Sequence, residues 1–246
     1  MCISPGGRWA GAIAGLLAHQ GLPRAGLLVL LALVGYLRPH ELTRLRARHV
    51  VPPVPSAGPA YAAWGLLLGD AITLQPGKTG VWDESVLLDL DPWIIRPLEA
   101  LKSTLHPNDL LCDLAPGELK ARFEAAAGLL SLGPLRPSLY QLRHGGASED
   151  LAMQRRPLAA VQRRGRWVSD KSLRRYSKES KLLAILNLAH PEVVTFGLAV
   201  IDNLEAVLLH GLLDPRSRVV IGPAVHALLT AGTPVPAPGG ARRRPR

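Results

Sequence analysis

The chain has few cysteines, few aromatics and no long apolar run. Its two cysteines, Cys2 and Cys112, are too few for a disulfide framework and lack zinc-ligand spacing, so a reducing intracellular compartment and no metal are expected. The longest apolar run, residues 25–37, is about 13 residues, short of the roughly 20 that span a bilayer. No basic start followed by an apolar core and a cleavage site marks a leader, and no internal repeat is found. No membrane is therefore expected, and the run reads as a buried helix of a soluble protein. Aromatics are only 4% of residues, so those standing among basic residues draw notice.

What the chain does have is 246 residues, 48% of them apolar and 20% charged. That is enough to bury a core as one large or two small domains. Its charge is localised. Residues 1–135 hold eleven basic and eleven acidic side chains, whereas residues 136–181 hold twelve Lys and Arg against four Asp and Glu, a net of +8. The terminal Ala-Arg-Arg-Arg-Pro-Arg adds four more positive charges. A field concentrated this way points to a polyanionic partner.

Taken in order, residues 9–20 and 24–36 read as helices, the second apolar all round and central. Gly35 breaks it. Pro39 opens a third helix over 40–48, and the Pro/Gly/Ser-rich run 51–60 reads as a loop. Short apolar runs at 64–68, 71–74 and 85–90 read as strands, the last two flanking a hairpin turn with Lys78 at or near its tip. Helices follow at 92–103, 116–132 and 138–153, with an extended connector at 109–114. Pro157 starts a short helix ended by Gly165, and Ser169 caps another carrying Arg174, Arg175 and Tyr176. Residues 182–212 offer one or two helices interrupted at Pro191, and the chain beyond 214 reads as a Pro/Gly/Arg-rich tail, partly disordered. The expected fold is mainly α with a small antiparallel sheet.

Two arginines on different helices, a hairpin lysine, a tryptophan and a tyrosine among basic residues suit phosphoryl transfer. Rigid guanidinium forks match a phosphate that gathers charge as it becomes five-coordinate. A tyrosine can be the nucleophile if nearby cations favour its phenolate, since its ordinary pKa is about 10.

These residues resemble the catalytic domain of the tyrosine recombinases, the phage-type integrases, particularly those of eukaryotic mobile elements. Gly35-Tyr36-Leu37-Arg38-Pro39-His40-Glu41-Leu42 is similar to the setting of that family's first active-site arginine. Tyr140-Gln141-Leu142-Arg143-His144-Gly145-Gly146-Ala147-Ser148 is similar to the setting of its second. Gly165-Arg166-Trp167 matches the site that holds His or Trp, Ser172-Leu173-Arg174-Arg175-Tyr176 matches the nucleophile, and Lys78 matches the hairpin lysine. The resemblance covers roughly residues 9–180. It divides the chain into a short leader (1–8), a catalytic-domain-like unit (9–180), a helical extension (181–213) and a tail (214–246).

The resemblance implies DNA strand cleavage and rejoining, as in recombination or integration, with no metal and no other cofactor. Tyr176 attacks a phosphate of double-stranded DNA to give a 3′-phosphotyrosyl link, Arg38 and Arg143 hold the non-bridging oxygens, Lys78 protonates the leaving 5′-oxygen and Trp167 donates its indole N–H. It also implies a homo-tetramer on paired duplexes, a helix after the nucleophile passed to a neighbour, and a location in the nucleus or wherever the DNA is. Arg163, Arg164, Arg166, Lys171, Arg174, Arg175 and Lys178 are the expected DNA contacts of the basic stretch.

Two departures set up a rival expectation. Tyr140 stands where most members have His or Lys, and a phenol is a poor proton acceptor near pH 7. Few residues precede the catalytic unit, where relatives carry a separate clamp domain. The rival is a non-catalytic DNA-binding module derived from a recombinase. A third reading, an apolar scaffold whose basic surface meets RNA or acidic proteins, is preferred if Arg38 and Arg143 lie far apart.

Overall fold

The structure is a computed structural model describing residues 5–68, 85–135, 137–167, 187–188, 190–211 and 218–230. Its architecture follows from one helix that has no polar face. Helix α2 (Pro23–Val34) buries every residue from Ala25 to Val34, so other elements must cover it on all sides. Helix α1 (Pro5–His19) packs along it, starting four residues earlier than residue 9. α3 (Pro39–Leu42), α4 (Ile95–Ser103), α5 (Pro116–Leu129), α6 (Leu139–Ala152) and α7 (Leu158–Gly165) follow. Three more, α8 (Pro191–Asp202), α9 (Leu204–His210) and α10 (Pro223–Thr230), complete the described helices. Among the described residues no single helix is long and apolar enough to cross a membrane.

The sheet is small and antiparallel, in the order β1 (Val50–Val51), β2 (Gly65–Leu67), β3 (Ser85–Leu87). Val50 pairs with Leu66, and Leu66 with Val86. All three are buried while Val51 and Leu87 are exposed, the period-two pattern of a sheet with one covered face. The fold is thus mainly helical with a three-stranded antiparallel sheet. The expected strand at 71–74 and the Lys78 turn lie outside the described residues.

Several expectations are corrected. β1 includes Val51, which was expected to open a loop. The helix expected over 40–48 stops at Leu42 because the chain beyond it pairs with the connector: Leu111 N–H donates to the Leu45 carbonyl (2.8 Å) and Ala47 N–H to the Asp109 carbonyl (3.0 Å). Inter-segment pairing here outweighs local helix preference. Within the stretch read as a partly disordered tail, α10 buries Val225 and Leu229, and its Leu229 carbonyl lies 3.0 Å from His19 Nε2. α8 and α9, which fall in the expected helical extension, pack against α1 and α2 through Val193, Phe196, Val200, Leu204 and Val207. They share one core with residues 9–167.

Candidate functional site

The site is built where two helices end and two begin. α2 closes in a Schellman turn, with Leu37 N–H on the Ala32 carbonyl (3.1 Å). The left-handed residue there is Tyr36 (φ 49°), while Gly35, the expected breaker, stays right-handed. A tyrosine at positive φ is costly, and its side chain is correspondingly anchored. The hydroxyl donates to Asp150 Oδ2 (2.5 Å), and the ring lies under the Arg164 guanidinium (5.3 Å) and 6.1 Å from the Trp167 ring. α7 closes the same way, with Trp167 N–H on the Gln162 carbonyl (3.2 Å) and Arg166 left-handed (φ 54°).

These two turns point carbonyls at one guanidinium. Arg143, on α6, donates through Nη1 to the Tyr36 carbonyl (2.6 Å) and through Nη2 to the Gly165 carbonyl. α6 comes close enough because residue 146 is glycine: a Cβ there would overlap the Leu33 carbonyl oxygen. Gly165 is required for a similar reason, because the Trp167 ring folds back over its Cα. That ring then covers Arg143, whose Cζ sits 4.8 Å from its centroid, a cation–π contact in a desolvated place.

Two further guanidinium groups share one carboxylate beside it. Glu41, in α3, accepts from the Arg38 backbone N–H (2.6 Å), from Arg38 Nη1 (2.9 Å) and from Arg166 Nη2 (2.6 Å). Arg38, Arg143 and Arg166 thus converge beside Glu41, the carboxylate that Arg38 and Arg166 share. Burial, with the Arg166 and Arg38 cations alongside, pushes the Arg143 pKa down to about 10. Arg143 is 2% exposed, still charged at neutral pH, and carries a cation cost that an entering anion relieves.

Tyr140 lies one turn before His144 on α6. It is 52% exposed, its ring edge-on to His144 at 4.5 Å, and His144 in turn stacks near Trp167 at 6.4 Å. The structure therefore brings together Arg38, Arg143, Arg166 and Trp167, with Tyr140 reaching the group through His144. Arg38 and Arg143 are not placed far apart, the arrangement under which a surface for RNA or acidic proteins would be preferred. Arg163 is exposed. Arg164 is corrected as a DNA contact: it is buried, with Nε and Nη2 donating to the Val34 carbonyl (3.0 and 2.5 Å) and Nη1 to the Leu87 carbonyl (2.5 Å). Lys78, Lys171, Arg174, Arg175, Tyr176 and Lys178 lie outside the described residues.

The charge of the basic stretch is also partly spent. Arg156 forms a two-pronged pair with Asp89 (3.0 and 2.5 Å) and reaches Asp150 (2.9 Å), while Arg155 pairs with Asp91 (2.8 Å). These acids come from the electrically neutral first half. Within the motif at residues 35–42 the sequence reading singles out Arg38 and gives Glu41 and Tyr36 no role in the site. The signal for Glu41 is its i+3 spacing from Arg38, which allows a capping contact; Tyr36 carries no such signal. Among the described residues no group of three or more His, Cys, Asp or Glu is placed to hold a metal ion. No protein-family model, no curated protein and no solved structure matches this chain.

Proposed function

We propose that the chain is a DNA strand transferase of the tyrosine recombinase type, its helices and small sheet forming that family's catalytic-domain fold. The observation that supports this reading best is the convergence of Arg38, Arg143 and Arg166, from three separate elements, beside the Trp167 ring. A cluster of fixed guanidinium groups with one shared carboxylate is held ready for an anion whose charge grows in the transition state. In the reaction, Tyr176 first gives up its phenolic proton to solvent, its phenolate oxygen attacks the phosphorus of a phosphodiester, the bond to the 5′-oxygen breaks, and that oxygen takes a proton from Lys78. Arg38 and Arg143 face the non-bridging oxygens. Reversal with a second 5′-hydroxyl rejoins the strand, and the working form is a homo-tetramer on two duplexes.

The test is a covalent adduct on a nicked duplex that traps the 3′-phosphotyrosyl link, formed in the presence of a chelator. Wild type should yield a band that resists denaturant, and Tyr176→Phe none. Absence of adduct from wild type on such substrates would sink the enzymatic reading. The exposure of Tyr140 favours the second reading, a non-catalytic DNA-binding module. It predicts salt-sensitive duplex binding that Tyr176→Phe leaves unchanged and that never becomes covalent.

A further inference from the structure

A second basic feature adjoins the site. Where the chain leaves α3 and runs into β1, a cleft of about 410 Å³ opens, lined on its polar side by Glu41, Thr43, Arg44, Arg46, Arg48 and His49. Its floor is leucine, which keeps the local dielectric low and lengthens the reach of the charges above it. Arg46 Nη1 donates to the Asn108 carbonyl and Arg48 Nη1 to the Asn108 side-chain oxygen (2.6 Å). One neutral residue therefore draws two guanidinium groups together. The Arg44 side chain is exposed and forms no ion pair or hydrogen bond among the described residues. Among the described lining residues the one carboxylate is Glu41, already bonded to Arg38 and Arg166.

Arg44, beside two guanidinium groups gathered on Asn108 and with the acid of the described lining bonded to Arg38 and Arg166, makes a site for a phosphate-bearing ligand. Glu41 belongs both to this lining and to the Arg38–Arg166 cluster, so the cleft and the candidate site meet at that residue. A small anion occupying one leaves the other empty. A phosphodiester chain can occupy both. We infer that the cleft seats the backbone of the DNA strand next to the phosphate held by Arg38 and Arg143, giving the chain a second phosphate contact outside its basic stretch. This rests on the DNA-handling reading above.

Arg44→Glu tests it, because that side chain supports no described contact and its loss spares the fold. Binding of the full chain to a short labelled duplex is measured by anisotropy across a salt series, with Lys120→Glu on α5 as the matched reversal. Arg44→Glu should weaken binding about ten-fold at low salt and lower the slope of log affinity against log salt by about one, while Lys120→Glu changes neither. Arg48→Gln should act in the same direction. Unchanged affinity and slope in Arg44→Glu overturn the inference, as does a wild type that binds no duplex. A thermal shift by inorganic phosphate that depends on Arg44, with duplex binding that does not, also overturns it and makes the cleft a small-anion site. Adduct formation is read separately. An adduct with no effect of Arg44→Glu removes the cleft and keeps the chemistry; Arg44-dependent binding with no adduct keeps the cleft and removes the chemistry.

Discussion

Tyr36 shows how much a single residue can hold in place. It occupies a left-handed position that most side chains avoid, its carbonyl receives Arg143, and its hydroxyl ends on an aspartate that also anchors Arg155 and Arg156. Burial first, and then the Asp150 carboxylate, hold its phenol well above the ordinary tyrosine range. Above about pH 10 the unfolded chain loses that proton and the folded chain keeps it, so this group makes stability fall as pH rises, by about 1.4 kcal/mol per pH unit. Tyr36→Phe should cost about 1–3 kcal/mol at neutral pH, the range for a hydrogen bond to a charged partner. The gap between the two proteins, read by urea denaturation, should then narrow from about pH 9 to about pH 11. A gap independent of pH would show that the phenol is not held by Asp150. None of this is legible from residues 35–42 alone, because Asp150 lies over a hundred positions away.

At the scale of elements, α3 is a single turn that carries an unusual electrical burden. Its Glu41 side chain is 5% exposed and balances Arg38 and Arg166 at once. Glu41→Gln keeps the shape and removes the charge, taking from Arg38 and Arg166 the carboxylate they share beside Arg143. Breaking a buried pair from one side costs about 3–5 kcal/mol, so the thermal midpoint should drop substantially. Added sulfate should restore more of the loss in Glu41→Gln than it adds to wild type, because it replaces the missing negative charge. Equal sulfate responses would place the anion site elsewhere. The presence of α2, α5, α6 and α7 was readable from apolar period, from Pro at their starts and from Gly165. The length of α3 was not, since its end is set by pairing with residues 109–111.

For the whole molecule, the C-terminal helices are structural. Val193, Phe196, Val200, Ile201, Leu204 and Val207 are buried, and each contributes about 1.5–3 kcal/mol by burial. Together that is about 9–18 kcal/mol, as large as or larger than the roughly 5–15 kcal/mol that typically separates folded from unfolded domains. A chain ending at residue 186 should therefore lose its near-UV circular dichroism and cooperative melting; a fragment that keeps both would show the core closes without them. The same scale corrects the reading of charge. A net of +8 over residues 136–181 looks like a free basic surface, yet Arg155 and Arg156 are answered by Asp89, Asp91 and Asp150, and Arg164 is turned inward onto carbonyls. Net charge adds along the chain, whereas neutralisation depends on which acids the fold brings near. The sequence by itself determined the apolar central helix, the mixed class and the residue types of an anion site, because period, capping and composition are local properties. Only the tertiary structure decided that Arg38, Arg143 and Arg166 meet, that Glu41 and Tyr36 hold them, and that Arg44, Arg46 and Arg48 open a second cleft beside them. Those facts depend on how closely helices approach, which a glycine at position 146 permits but does not announce.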